Sequence, residues 1–308
     1  MPRVSVIMPL YKAEKFVESA MVSILNQQYK DFEVIAIDDC GNDGTSRIVE
    51  TINDKRIKVI HNDRNRGIAY SRNIGIENAA GEFIALMDDD DIAMPERLAL
   101  EVEFMDMHPD IDVVGAAMKN IDFHGNVTSF NVTGVLHNPK RVRAELIFRD
   151  CISNGSAMMR TQFIRKNNIK YVDDMLGMED YHFWVQCSLH GQISNIPNVL
   201  LYWRNTGTNE TFHVKDNKTE QRKLMYKEIQ KFALKSNGFV LTQEEQEMFF
   251  KHFREDKKYA SDAKELKQLY ALVSSLIQQG NSMDFATEWK AACKKMFAEC
   301  VKVSRIFD

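Results

Sequence analysis

The chain has 308 residues, 44% of them hydrophobic, enough for one large domain or a domain with a substantial appendage. Its net charge of −4 excludes a dedicated nucleic-acid binder, which would be strongly basic, so no nucleic-acid partner is expected. Five cysteines without CxxC spacing exclude a disulfide framework and a zinc site, and free thiols fit a reducing, cytoplasmic compartment. No apolar run approaches the roughly 18 residues of a membrane span, and that at 4–8 is too short for a signal peptide. The charge is uneven: 18 Lys and Arg against 14 Asp and Glu from Lys215 onward make that part +4 and the preceding residues −8. An acidic front half fits a site that holds a cation, and a basic back half fits an anionic surface.

Short Val- and Ile-rich runs at 4–8, 34–37, 57–60, 83–87 and 113–116 predict strands. Between them, 16–27, 45–52, 69–78 and 95–108 carry apolar residues at helical spacing, with helix starts marked by Gly44-Thr45 and Met94-Pro95. This alternation predicts an α/β fold with a mostly parallel sheet flanked by helices, and ligands at the carboxyl ends of the strands. Residues 119–139 read as a hairpin or loop, 140–148 and 179–190 as helices, and 199–203 as a strand. From Lys215 the pattern is helical, broken at Gly238 and Gly280. The expected division is a catalytic domain over 1–214 and a helical extension over 215–308.

Polar residues collect where such a sheet would hold a ligand. The run Phe83–Met87 delivers Asp88-Asp89-Asp90-Asp91 to one strand end. Four carboxylates that close repel unless a cation neutralises them, and a hard divalent ion shared with a diphosphate is the natural occupant. The alternative is an acidic cap on the next helix. The second strand ends in Asp38-Asp39, then Asp43. Asp39 can accept the N3–H of a uracil or cap the following helix, and Asp43 reads as the cap. Pro9-Leu10-Tyr11 ends the first strand in an aromatic that can pack on a base or simply fill core. Arg72, on the helix before the tetra-Asp strand, can reach base or phosphate or remain solvated.

Taken in order over roughly residues 3–110, these segments resemble the nucleotide-binding half of the family 2 glycosyltransferases, which have the GT-A fold. The resemblance rests on Pro9/Tyr11, Asp38/Asp39, Arg72-Asn73 and the Asp88–Asp91 run. It extends to Glu179-Asp180-x-x-x-Trp184, similar to the family's Glu-Asp motif, and to Tyr202-Trp203-Arg204, similar to the segment that closes the domain. Together with Asn154–Arg160, these features look most like bacterial lipooligosaccharide N-acetylglucosaminyl- and galactosyltransferases.

The resemblance implies an inverting transfer of a sugar from a UDP-sugar donor to a saccharide acceptor, free or lipid-linked, for cell-surface polysaccharide. It implies a Mn2+ or Mg2+ ion held chiefly by Asp90, with Asp88 and Asp89 fixing the ribose and Pro9, Tyr11, Asp39 and Arg72 forming the base pocket. Asp180 would be the general base, with Glu179 next in line, and Trp184 an acceptor residue. The sequence departs from many relatives at Thr206, where they carry a His, and His213 is the substitute ligand to consider.

Two rival readings are a non-catalytic scaffold that kept the shape, and a sugar-nucleotide nucleotidyltransferase. The complete carboxylate set argues against the first. The absence of Gly from Pro9–Lys12 argues against a phosphate loop, and hence against the second. In the tail, Trp289, Cys293, Met296, Cys300, Val303 and Phe307 form one stripe at helical spacing, with Lys290, Lys294, Lys295, Lys302 and Arg305 off it. Such a helix either lies peripherally on the inner face of an anionic membrane or packs on the preceding helices or a second subunit.

Overall fold

The computed structural model describes residues 1–128, 136–175, 177–207, 209, 219–253 and 259–301. Its first strand, β1 (Val4–Leu10), is buried along its whole length. Val4, Val6, Met8 and Leu10 enter one apolar cluster, and Ile7 enters another. Successive strand side chains face opposite sides, so burial of every position requires layers on both faces.

The remaining front strands follow the expected runs closely. β2 (Phe32–Asp38) and β4 (Phe83–Leu86) flank β1 in parallel, and β3 (Ile57–His61) lies parallel to β2. The connections carry α1 (Val17–Leu25), α2 (Thr45–Thr51) and α3 (Ile68–Asn78), and α4 (Arg97–Met107) follows β4. All of these strands deliver their carboxyl ends to the same edge.

The other half holds β5 (Ile92–Ala93), β6 (Val113–Ile121), β7 (Met158–Arg160) and β8 (Ile193–Arg204), giving the order β3-β2-β1-β4-β7-β6-β8-β5. The mostly parallel sheet is thus present with two reversed strands: β7 runs against β4 and β6, and β5 against β8. Reversal of β7 matters for the site, because its leading end, not its trailing end, abuts the carboxyl end of β4. The chain enters β7 through a 3-10 turn, Asn154–Ser156. Around these strands lie α5 (Pro139–Leu146), α6 (Thr161–Lys166) and α7 (Glu179–His190). Asn138 caps α5 by accepting from the Arg141 amide, with Pro139 in the first turn, where a missing N–H costs nothing.

The tail folds as α8 (Thr219–Ser236), α9 (Gln243–His252), α10 (Ala263–Gln279) and α11 (Ala286–Cys300), with Gly238 and Gly280 at the breaks. The stripe on α11 is core. Trp289, Cys293, Met296 and Cys300 are buried, and Trp289 stacks on Phe148 with centroids 5.1 Å apart. These side chains are therefore unavailable to a membrane, and over α11 the packing alternative is the one present; Val303 and Phe307 lie outside the described residues. Among the described residues no helix is long and apolar enough to cross a membrane.

Glu145 reinforces the seam between tail and front half. Fully buried on α5, it meets Arg141 at 2.6 Å, Arg149 at 3.0 Å and Lys295 of α11 at 3.1 Å. Burial works against its charge, yet Arg149, Lys295 and Arg141 outweigh it and hold the carboxyl below its usual range.

Candidate active site

The acidic run leaves β4 and folds back against β8. Asp91 is fully buried: Oδ1 accepts from the Arg204 amide at 2.8 Å, while Oδ2 has no hydrogen-bond partner among the described residues. Asp90 presents its backbone carbonyl to Arg204 Nε at 2.7 Å, and its Oδ2 accepts from Asn209 at 3.2 Å. Asp89 accepts from the Tyr11 amide at 2.8 Å. Burial and the neighbouring Asp88 push the Asp90 carboxyl up to about 7. Burial and Asp90 push Asp89 and Asp91 well above the carboxylate range. The cluster is therefore short of positive charge.

No three His, Cys, Asp or Glu side chains among the described residues form a ready-made metal cage. A Mg2+- or Mn2+-type ion held by one or two carboxylates and substrate phosphates needs none. The unpartnered Asp91 oxygen and the raised Asp90 fit such an ion. The place of the missing His after Arg204 is taken by a turn in which Thr206 donates to Asn209, which in turn reaches Asp90. His213 lies outside the described residues.

The residues expected of a base pocket lie at and just beyond the ends of β1 and β2. Tyr11, 44% exposed, follows β1, with the Lys12 ammonium 5.0 Å from the centre of its ring. Pro9 itself is buried in the strand, beyond the last β1–β4 pair Ile7↔Leu86. A residue without an N–H suits the place where pairing on that side stops. Pro9 is thus held within the strand two residues before the exposed Tyr11. Asp39, 3% exposed, organises the loop before α3. Its Oδ1 accepts from Asn62 at 2.7 Å and the Arg66 amide at 2.8 Å, and its Oδ2 from the Gly67 amide at 2.9 Å. Gly67 sits at φ +87°, a conformation that side chains disfavour, and this lets its amide reach Asp39. Asp39 Oδ2, with one hydrogen bond accepted, retains the lone-pair capacity for a further donor. Asp43 accepts from the Thr45 amide and hydroxyl, as expected of the cap.

Arg72 departs from the expected base pocket. It is buried on α3 and spans two motifs: Nη1 meets Glu179 at 2.7 Å and Nη2 meets Asp88 at 2.9 Å. Burial opposes its charge, but Asp88 and Glu179 keep it protonated. Both guanidinium ends are thereby committed to carboxylates. Beside it, Asn73 exchanges two hydrogen bonds with the backbone of Tyr171. Tyr171 in turn stacks on Phe183 at 4.0 Å and lies under the Arg72 guanidinium.

The two acidic residues opening α7 differ in environment. Glu179 is buried and paired, whereas Asp180 is part-exposed and accepts from the Tyr181 amide at 2.7 Å. Burial, then Asp150 and Glu179, push the Asp180 carboxyl well above its usual range. Trp184, expected as an acceptor residue, is fully buried against Phe183 and exposes no surface of its own.

Sequence reasoning passed over Asp150 and Asn209, and it cited Asn154–Arg160 only for its resemblance, without placing the turn at Asn154–Ser156 beside the acidic run. Asp150 precedes that turn and is pushed up to about 7 by burial. Gly155 packs so closely that a Cβ there would sit 3.1 Å from Asp91 Oδ2 and 3.4 Å from Asp88 Oδ2. The sequence signal was the small-residue run itself, since a glycine within a strand-like segment marks close backbone approach.

A nucleotide-type sheet edge bearing stacked carboxylates, with a second acidic motif facing it, defines a GT-A glycosyltransferase. The profile "Glycosyl transferase family 2" matches residues 5–166, and the chain belongs to that family. It is 33% identical over 233 residues to an uncharacterised glycosyltransferase of Haemophilus influenzae, covering 72% of each chain. It is 28% identical over 197 residues to the Escherichia coli UDP-Glc:α-D-GlcNAc-diphosphoundecaprenol β-1,3-glucosyltransferase WfgD, covering 63% of this chain and 72% of WfgD. S. aureus TarS 1-349 in complex with UDP-GlcNAc has the same fold, with a TM-score of 0.66 at 20% identity, covering 97% of this chain and 91% of that one. A Pyrobaculum calidifontis mannosyltransferase, PcManGT, solved with GDP-Man and Mn2+, aligns with a TM-score of 0.54 at 16% identity, over 97% of this chain and 87% of that one. The protein is a sugar-transferring enzyme of this family.

Proposed function

We propose that the enzyme is inverting and metal-dependent, and that it moves a hexose from a UDP-sugar to a saccharide hydroxyl in cell-surface polysaccharide synthesis. The observation that carries this reading is the span of Arg72, which ties Asp88 of the donor edge to Glu179 beside Asp180. On this reading one guanidinium would set the distance between the leaving group and the base.

Donor and metal follow from the chemistry of the pocket. Asp39 Oδ2 can accept the uracil N3–H, and the exposed Tyr11 ring can cover the base face. Asp88 and Asp89 would hold the ribose. Asp90 would hold the divalent ion, which when bound offsets the charge gathering on the departing diphosphate. Asp180 takes the proton from the attacking hydroxyl. Glu179, neutralised by Arg72, is a poor candidate for that step. With Asp180 as the one assigned base and no second nucleophile assigned among the described residues, a single displacement is the simplest course.

WfgD, named for a diphosphoundecaprenol acceptor, supports a lipid-linked saccharide as acceptor here. Such an acceptor would bring the enzyme to the inner face of the cytoplasmic membrane. On this reading the catalytic unit is residues 1–214, and the described helices between Thr219 and Cys300 buttress it. Competition for sugar-nucleotide binding by UDP, CDP and GDP tests the donor assignment. UDP should compete best, because cytosine lacks the N3–H; equal competition by all three would remove Asp39 from the base pocket.

A further inference from the structure

Asn154 opens the turn that leads into β7, and its carboxamide is half satisfied. Its Oδ1 accepts from the Tyr171 hydroxyl at 3.1 Å. Its Nδ2 is sealed from solvent and has no hydrogen-bond partner among the described residues. In either orientation of the amide, Tyr171 satisfies one end and leaves the other unpaired. Buried polar groups are seldom left so unless a ligand or water completes them.

The position of this amide identifies what completes it. Contacts run in a closed ring around it: Asp88 to Arg72 at 2.9 Å, Arg72 over the Tyr171 ring at 5.3 Å, and Tyr171 to Asn154. Gly155, the next residue, closes the ring by packing on the carboxylates of Asp88 and Asp91. Asn154 therefore stands on the donor side, beside the carboxylates assigned to the nucleotide and its metal. A group that both donates and accepts suits an amide end in either orientation, and a sugar hydroxyl is such a group.

We propose that Asn154 hydrogen-bonds a hydroxyl of the hexose carried by the nucleotide and so helps select the donor sugar. This rests on the UDP-sugar reading above. The Tyr171 hydroxyl orients the amide for it, and the fixed ring of Arg72, Asn73 and Phe183 holds Tyr171.

The test is calorimetric titration of the full chain with UDP and with UDP-Glc, UDP-GlcNAc and UDP-Gal in Mn2+, without acceptor. For Asn154→Ala, UDP affinity should stay within about twofold, and the preferred UDP-hexose should bind about tenfold more weakly. Tyr171→Phe, which frees the amide but keeps the ring stacked on Phe183, should weaken the same hexose about threefold and leave UDP alone. It serves as the deciding variant should Asn154→Ala fail to fold. Unchanged UDP-hexose affinity, or an equal loss for UDP, overturns the proposal. A change confined to the acceptor KM also overturns it, by assigning the hydroxyl to the acceptor. If the unaltered protein binds neither UDP nor any UDP-hexose, the donor reading fails first and takes this inference with it.

Discussion

Arg72 and Glu179 form a buried ion pair of 2.7 Å across 107 residues of chain, joining α3 to the first turn of α7. Removing one partner of such a pair strands the other's charge, at a cost of about 3–5 kcal/mol. Arg72→Met should therefore lower the melting temperature and reduce turnover strongly, and Arg72→Lys should recover part of both. UDP affinity should change far less than turnover. A loss of UDP binding as large as the loss of turnover would return Arg72 to the base pocket.

The first two residues of α7 should separate by role. Asp180→Asn is expected to leave donor binding unchanged and lower turnover by about a hundredfold or more, the scale of a lost general base. Glu179→Gln should lose stability, because it abandons Arg72, while keeping the pH dependence of transfer. Steady-state kinetics with thermal melts of both variants checks this. Near-normal turnover in Asp180→Asn would move the base to Glu179.

The acidic run makes a pH prediction whose sign is opposite to that of a paired carboxylate. Asp90, raised to about 7, keeps its proton in the folded state over a range where the unfolded chain, with an ordinary value of about 3.9, has lost it. The folded state binds more protons there, so stability of the metal-free protein should fall as pH rises from about 4 to about 7. Asp89 and Asp91, raised in the same direction, add to the slope. Melts in EDTA should show this decline, Asp90→Asn should make it shallower, and Mn2+ with UDP should reverse it. A melting temperature that climbs through the same window would contradict the account.

The tail should behave as core. Trp289 is fully buried against Phe148 and Phe239, so Trp289→Ala should cost about 3–5 kcal/mol. Truncation after Gly280 removes α11 together with the Lys295 contact to Glu145, and should leave an insoluble chain. A soluble, cooperatively melting truncation would mean that the front half does not need this helix.

Much of this was legible in the sequence because its signals are local. The β1, β2, β3 and β4 runs, their carboxylate endings and the capping role of Asp43 follow from periodicity and turn chemistry over a few residues. What escaped depends on pairing at a distance. Nothing near Arg72 announces that its partners are Asp88 and Glu179, and nothing near Trp184 distinguishes a buried indole from one lining a cleft. The reversal of β7 is similarly silent: three residues are too few to show a period, yet that reversal brings Asn154 and Gly155 to the end of β4. Asn209 took the position next to Asp90 through a turn set by Thr206, which a motif that looks for His passes over.

The central claim is tested most directly by following UDP release from UDP-hexoses supplied with lipid-linked saccharide acceptors. The account predicts UDP formation in Mn2+, its arrest by excess EDTA, and its near-complete loss in Asp180→Asn with UDP-hexose binding retained. Undiminished release in EDTA, or equal release by Asp180→Asn and the unaltered enzyme, would contradict it.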